Sequence, residues 1–197
     1  MTDEELIARA RQGDTAAFGA LVDRHRSAVY RAALAALGSH ADAEDAAQDA
    51  FLLAYRRLDS FRGAAAFRTW LLAIAWRQAI NRRRGLARIW RRLVEPALSG
   101  GDEMPDVVST IADRRPTPET IASDRELGQA IRGEIRSLPA MLRDALLLAF
   151  SGAYTYEEIG AMVGAPVGTI KWRVSEARRV IKRRLAERGH GGRTDGR

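Results

Sequence analysis

The chain has 197 residues, enough for one large domain or two small ones, and 46 % of them are apolar, enough to bury a core. It has no cysteine, which excludes disulfides, a thiolate nucleophile and a cysteine-ligated zinc finger. The net charge of +7 is unevenly placed: residues 60–94 hold nine Arg and no acid, residues 151–197 are also basic, and the stretches before and between them are net acidic. Two basic blocks separated by an acidic one suggest two contacts with a polyanion, and a set of solvated Arg faces is the plainer alternative.

No apolar run approaches a membrane span, and the charged start "MTDEELIARARQGD" does not read as a signal peptide. A cytoplasmic protein without membrane insertion is expected. Strand signals are weak and long runs carry helical period, so the expected fold is all-α, with two small helical domains joined by a flexible linker. Phe18, Leu21, Val22, His25 and Val29 recur at steps of three and four on a first long helix. Gly38 ends it, and a second helix starts near Asp42 and runs to about Leu58. On that second helix Ala47, Ala50, Phe51, Ala54 and Leu58 face one way, while Asp42, Asp45, Gln48, Asp49, Leu52 and Arg56 face the other. An apolar Leu52 among acids suits a protein-docking surface better than a nucleic-acid one. The three aspartates also admit a remote alternative, a divalent ion as in a metal-dependent nuclease, although no further carboxylate or His is placed to complete a site.

A further long helix is expected over roughly Ala64 to Arg84. Phe67, Trp70, Leu71 and Ile74 share one of its faces, and Leu72, Trp76 and Ile80 form a second row. A helix apolar on two sides is either sandwiched or shows an aromatic to a partner. Core and partner-facing readings of Trp76 balance, whereas Trp70 reads as core. Arginines for phosphates beside an aromatic for stacking suit single-stranded nucleic acid. Residues 95–117 hold three of the six prolines, with Pro118 just beyond them, and Gly100 and Gly101, and read as a linker able to span about 75 Å when extended. That matches two turns of B-DNA, roughly 70 Å, so two domains can grip separate sites on one duplex.

Thr117 is expected to cap the next helix, with Pro118 at its first position and Glu119 near its positive end. "SLP" at 137–139 breaks that helix and "AMLRDALLLAF" follows. In "TYEEIGAMVGAPVGTIKWRV", Thr155 and Glu158 form a capping box and Gly164 suits a left-handed terminus. Pro166 is tolerated in the turn, after which Val167, Ile170, Val174, Ala177 and Ile181 repeat at three and four. Two apolar stripes folded together across so short a turn make a helix-turn-helix. Lys171, Trp172, Ser175, Arg178, Arg179 and Lys182 are left outside the second stripe, as on a helix that enters a major groove. The tail from residue 188 to 197 is Gly-rich and reads as disordered.

These residues together resemble a bacterial RNA polymerase sigma factor of the small extracytoplasmic-function (ECF) group. "DAEDAAQDAFLLAYRRLDSF" is similar to the helix that docks on the polymerase β′ clamp helices. "FRTWLLAIAWRQAINRRR" is similar to the helix that opens the promoter's minus-ten element. "LPAMLRDALLLAFSGAYTYEEIGAMVGAPVGTIKWRVSEARR" is similar to the helix-turn-helix that reads the minus-thirty-five element. The resemblance implies a promoter-specificity subunit without catalysis or cofactor of its own, a monomer when free. Its implied partners are core polymerase (β′ and β), promoter DNA and a separate anti-sigma factor. It implies an N-terminal domain over 1–94, a C-terminal domain over 118–187, and polymerase binding by Asp45, Gln48, Asp49, Leu52 and Arg56. Minus-ten binding falls to Arg68, Trp76, Arg77, Asn81, Arg82, Arg83 and Arg84. Minus-thirty-five binding falls to Thr169, Lys171, Trp172, Arg173, Ser175, Glu176, Arg178 and Arg179. The family's linker passes near the polymerase active centre, which acidic Asp102, Glu103 and Asp106 suit. Arg77 stands where many relatives have Asn, Trp172 where a small Ser is usual, and Glu176 where Arg is usual. These departures bear on promoter sequence rather than on activity. The rival reading is a stand-alone helix-turn-helix regulator, which needs no acidic docking helix.

Overall fold

A computed structural model of the chain describes residues 1–94 and 118–188, with side chains at 1–88 and 127–188. The expected linker with its three acids, the Thr117 cap and the tail beyond Arg188 lie outside the described residues. Among those described, all regular structure is helical, and no helix is long and apolar enough to cross a membrane.

The first helix, α1 (Asp3–Arg11), precedes the first expected helix, and Thr2 and Glu5 cap it with a complete capping box. Helix α2 (Thr15–Leu37) starts on Asp14, whose carboxylate accepts from Ala17 N–H, and ends where Gly38 turns left-handed. Ser39 then caps α3 (His40–Arg56), two residues earlier than the expected start near Asp42, and a short 3-10 turn (Leu58–Ser60) follows. The inner face of α3 is nearly all alanine, with Ala43, Ala46, Ala47, Ala50 and Ala54 buried. Ala28, Ala32, Ala33 and Ala36 are buried on α2. Such small side chains let helices approach closely, and this pair carries α4 (Phe67–Val94) across it.

Helix α4 runs ten residues past the expected end at Arg84. No proline or capping signal follows Arg84, and a lone Gly85 costs only about 1 kcal/mol in a run of good helix formers. Leu71, Leu72, Ala75, Trp76 and Ala79 are all buried. Both apolar rows are used because α4 is sandwiched, with α2 and α3 on one side and a C-terminal helix on the other. Trp76, only 4 % exposed, is therefore core here, and its partner-facing reading gives way to the sandwich.

The C-terminal half comprises α5 (Pro118–Arg136), α6 (Ala140–Phe150), α7 (Tyr156–Val163) and α8 (Val167–Glu187). Leu142, Leu146 and Leu148 of α6 meet Ile159 and Met162 of α7 and Ile170, Val174 and Ala177 of α8 in its core. Glu134 of α5 is a buried carboxylate in ion pairs with Arg184 and Arg188 at 3.3 and 2.9 Å, which ties α5 to the end of α8.

Candidate docking face and nucleic-acid interface

Asp45, Gln48, Asp49, Leu52 and Arg56 all lie on the solvent side of α3, as the period requires once the alanines turn inward. Leu52 is half exposed at 50 % and Tyr55 is 40 % exposed. Beside them a groove of about 730 Å³ opens between α2 and α3. Its other wall is Phe18, Val22, Arg26 and Tyr30 of α2, and Phe18 packs against Tyr55 at a tilt, with ring centroids 4.8 Å apart. The helical period puts Phe18 and Val22 on the α2 core stripe, and only the angle between α2 and α3 turns them toward an opening.

The arginines of α4 fall into two sets. Arg77, Asn81 and Arg84 are exposed along one stripe, at steps of four and three. Arg68, Arg82 and Arg83 are engaged within the chain. Arg82 donates to Asp42 and Asp45 on α3, at 3.2 and 2.8 Å. Burial would depress its guanidinium, but the bonds to these two carboxylates outweigh burial and raise it above its ordinary value. A cation thus occupies the place where the aspartates would have held a metal ion.

Arg68 and Arg83 reach the C-terminal half. Arg68 donates to Glu158 Oε1 at 2.6 Å and to the Ala153 carbonyl at 2.8 Å. Arg83 gives a bidentate pair to Asp144 of α6, both bonds 3.1 Å, and a third bond to the Ala36 carbonyl. Arg143 stands by the same carboxylate; burial lowers its guanidinium, Arg83 lowers it further, and Asp144 opposes both. Tyr154 donates its hydroxyl to the Ala28 carbonyl at 2.7 Å, and burial raises its phenol above the ordinary value. No local pattern in the sequence marks Asp144, Tyr154 or Glu158 as partners of residues 61 to 126 positions away.

The turn between α7 and α8 is built as its residues require. Thr155 and Glu158 complete the capping box, with bonds of 3.2 and 3.0 Å. Gly164 ends α7 at φ 69°. Gly160 is also needed, since a Cβ there would lie 2.6 Å from the Ala165 carbonyl oxygen. On α8 the exposed stripe holds Lys171, Trp172, Ser175, Arg178, Arg179 and Lys182, and Trp172 is 58 % exposed. Thr169 and Arg173 are half-buried at its flank, and Arg173 Nε is enclosed without a hydrogen-bond partner. Glu176 is not a free acceptor: Arg179 donates to both of its oxygens at 2.8 and 2.6 Å. That bond lowers the Glu176 carboxyl and raises the Arg179 guanidinium.

Comparison with known families follows the same division. Residues 21–89 match the model for sigma-70 region 2, and residues 135–183 match that for sigma-70 region 4. The ECF RNA polymerase sigma-E factor of Haemophilus influenzae is 35 % identical over 185 residues, 94 % of this chain and 96 % of that protein. Its Escherichia coli K12 counterpart is 36 % identical over 191 residues, 94 % of this chain and 95 % of that protein. Among solved structures, the sigma factor RpoE of Bartonella quintana, crystallised with the anti-sigma factor NepR, is 25 % identical. It aligns with a TM-score of 0.57 over 86 % of this chain and 96 % of its own. CnrH, in complex with the cytosolic domain of CnrY, shares the fold at 24 % identity and a TM-score of 0.60, over 94 % of this chain and 97 % of its own. A helix with an acidic outer face, an arginine-rich helix and a helix-turn-helix occur in one order on a chain that spans nearly the whole of its relatives, and the chain belongs to the ECF RNA polymerase sigma factors, which direct transcription initiation at promoters.

Proposed function

We propose that polymerase docks on the outer face of α3, at Asp45, Gln48, Asp49, Leu52 and Arg56, and along the groove shared with α2. The observation that carries this is Leu52, half exposed among acids at the lip of an apolar groove. Arg77, Asn81 and Arg84 of α4 are the first to meet the minus-ten element. Arg68, Arg82 and Arg83 join them once their carboxylate partners let go, and Trp76 does so only if α4 is uncovered. The stripe of α8 meets the minus-thirty-five element, with Lys171 and Trp172 in its N-terminal turns near base edges. Residues 1–94 and 118–187 act as two domains on either side of a linker. The factor itself catalyses nothing, works in the cytoplasm, and is held by a separate anti-sigma factor, as the Bartonella quintana relative is seen to be.

The test is to add the protein to core polymerase with a promoter library and map start sites. New starts that share an upstream and a minus-ten element are expected. Tight operator binding without polymerase, and no new starts, would favour the stand-alone regulator.

A further inference from the structure

Two neighbouring arginines on the outer face of α8 are held by different means. Arg179 is bound by both oxygens of Glu176, so its charge is largely cancelled where it stands. Arg178 pairs with no carboxylate among the described residues; its guanidinium lies over the ring of Phe150, 5.8 Å from the centroid. Phe150 is the last residue of α6 and is 58 % exposed, while Leu146, Leu147 and Leu148 just before it are buried. An aromatic left in water at a helix end serves no core. A ring face attracts a cation through its quadrupole and takes none of its charge or N–H donors. Arg178 is therefore oriented by α6 yet keeps its full charge, the state best suited to a phosphate.

We infer that Phe150 is a positioning residue for the upstream promoter element: it holds the Arg178 guanidinium on the outer face of α8 for a DNA backbone phosphate. This rests on the reading of α8 as the helix that meets DNA.

The experiment uses holoenzyme and a promoter duplex selected by the parent holoenzyme, with affinity measured across a salt series. Arg178→Ala should weaken binding and reduce the salt slope by about one. Phe150→Ala should weaken it about 2–5-fold. Phe150→Leu, apolar without a ring face, should behave like Phe150→Ala, whereas Phe150→Trp should restore the parent's affinity and slope. The double variant Phe150→Ala, Arg178→Ala should be no weaker than Arg178→Ala alone. Parental binding by Phe150→Leu, or additive losses in the double variant, overturns the positioning role. Parental affinity and slope for Arg178→Ala would instead overturn the placement of this part of α8 on DNA. Should Phe150→Ala melt early, the Leu and Trp variants, compared at equal folded fraction, decide the matter.

Discussion

Leu52 is an apolar side chain on the outer face of a helix whose inner face is nearly all alanine. It is half exposed, so Leu52→Arg leaves the core intact and changes stability by no more than about 0.5 kcal/mol. Binding to core polymerase should weaken at least about 10-fold, the scale of a well-placed interface residue. Titration of polymerase alongside a denaturation curve separates the two effects. Lost stability with unchanged affinity per folded molecule would place Leu52 in the core. Asp45 has two claims on it, since it faces outward on the proposed docking face and also holds Arg82 at 2.8 Å. A polymerase cation that took Asp45 would leave Arg82 with Asp42 alone.

At the scale of elements, the turn from α7 to α8 depends on a glycine that looks like an ordinary helical residue. By propensity alone, Gly160→Ala should stabilise α7 by about 1 kcal/mol. The new Cβ would fall 2.6 Å from the Ala165 carbonyl, and that clash is with backbone, which cannot swing aside. The clash wins: a net loss of about 1–3 kcal/mol is expected, read by urea denaturation of the full chain. Upstream-element binding should fall with it, because α8 can no longer sit at its present angle. A variant as stable as the parent would show that the turn has room to spare. Gly164 is constrained differently, by its positive φ rather than by a neighbour.

At the scale of the molecule, the C-terminal half covers part of α4, the helix proposed to meet the minus-ten element. Asp144 and Glu158 stand against Arg83 and Arg68 much as phosphates would. Asp144→Asn removes the charge from the bidentate pair and leaves Arg83 and Arg143 facing each other. Small-angle scattering should then show a larger radius of gyration for the free chain, and a single-stranded minus-ten oligonucleotide should bind several-fold more tightly. If neither changes, this contact does not limit access to α4. Tyr154 supplies a pH test of the same junction. Burial raises its phenol, so its contribution is complete below about pH 10, the unfolded value, and is lost as pH climbs toward the folded one. Stability should therefore fall with rising pH from about 10, and Tyr154→Phe should remove that part of the slope. Parent and variant compared between pH 9 and 11 isolate the effect from other titrating groups.

Patterns that repeat within a helix or a turn were legible in the sequence. The alanine face of α3, its acidic outer face with Leu52, the Thr155–Glu158 box, the Gly164 stop and the basic stripe of α8 all follow from a 3.6-residue period and local backbone chemistry. They sufficed for the all-α class and for the resemblance to a sigma factor. What lay beyond that period was decided by tertiary structure. The burial of Trp76, the engagement of Arg68 and Arg83, the α2 wall of the groove and the Phe150–Arg178 contact all depend on how one element meets another. Helical period says which residues share a face, but not which element meets that face. That is settled by how small side chains let helices approach and by where a charge, once withdrawn from water, finds its partner.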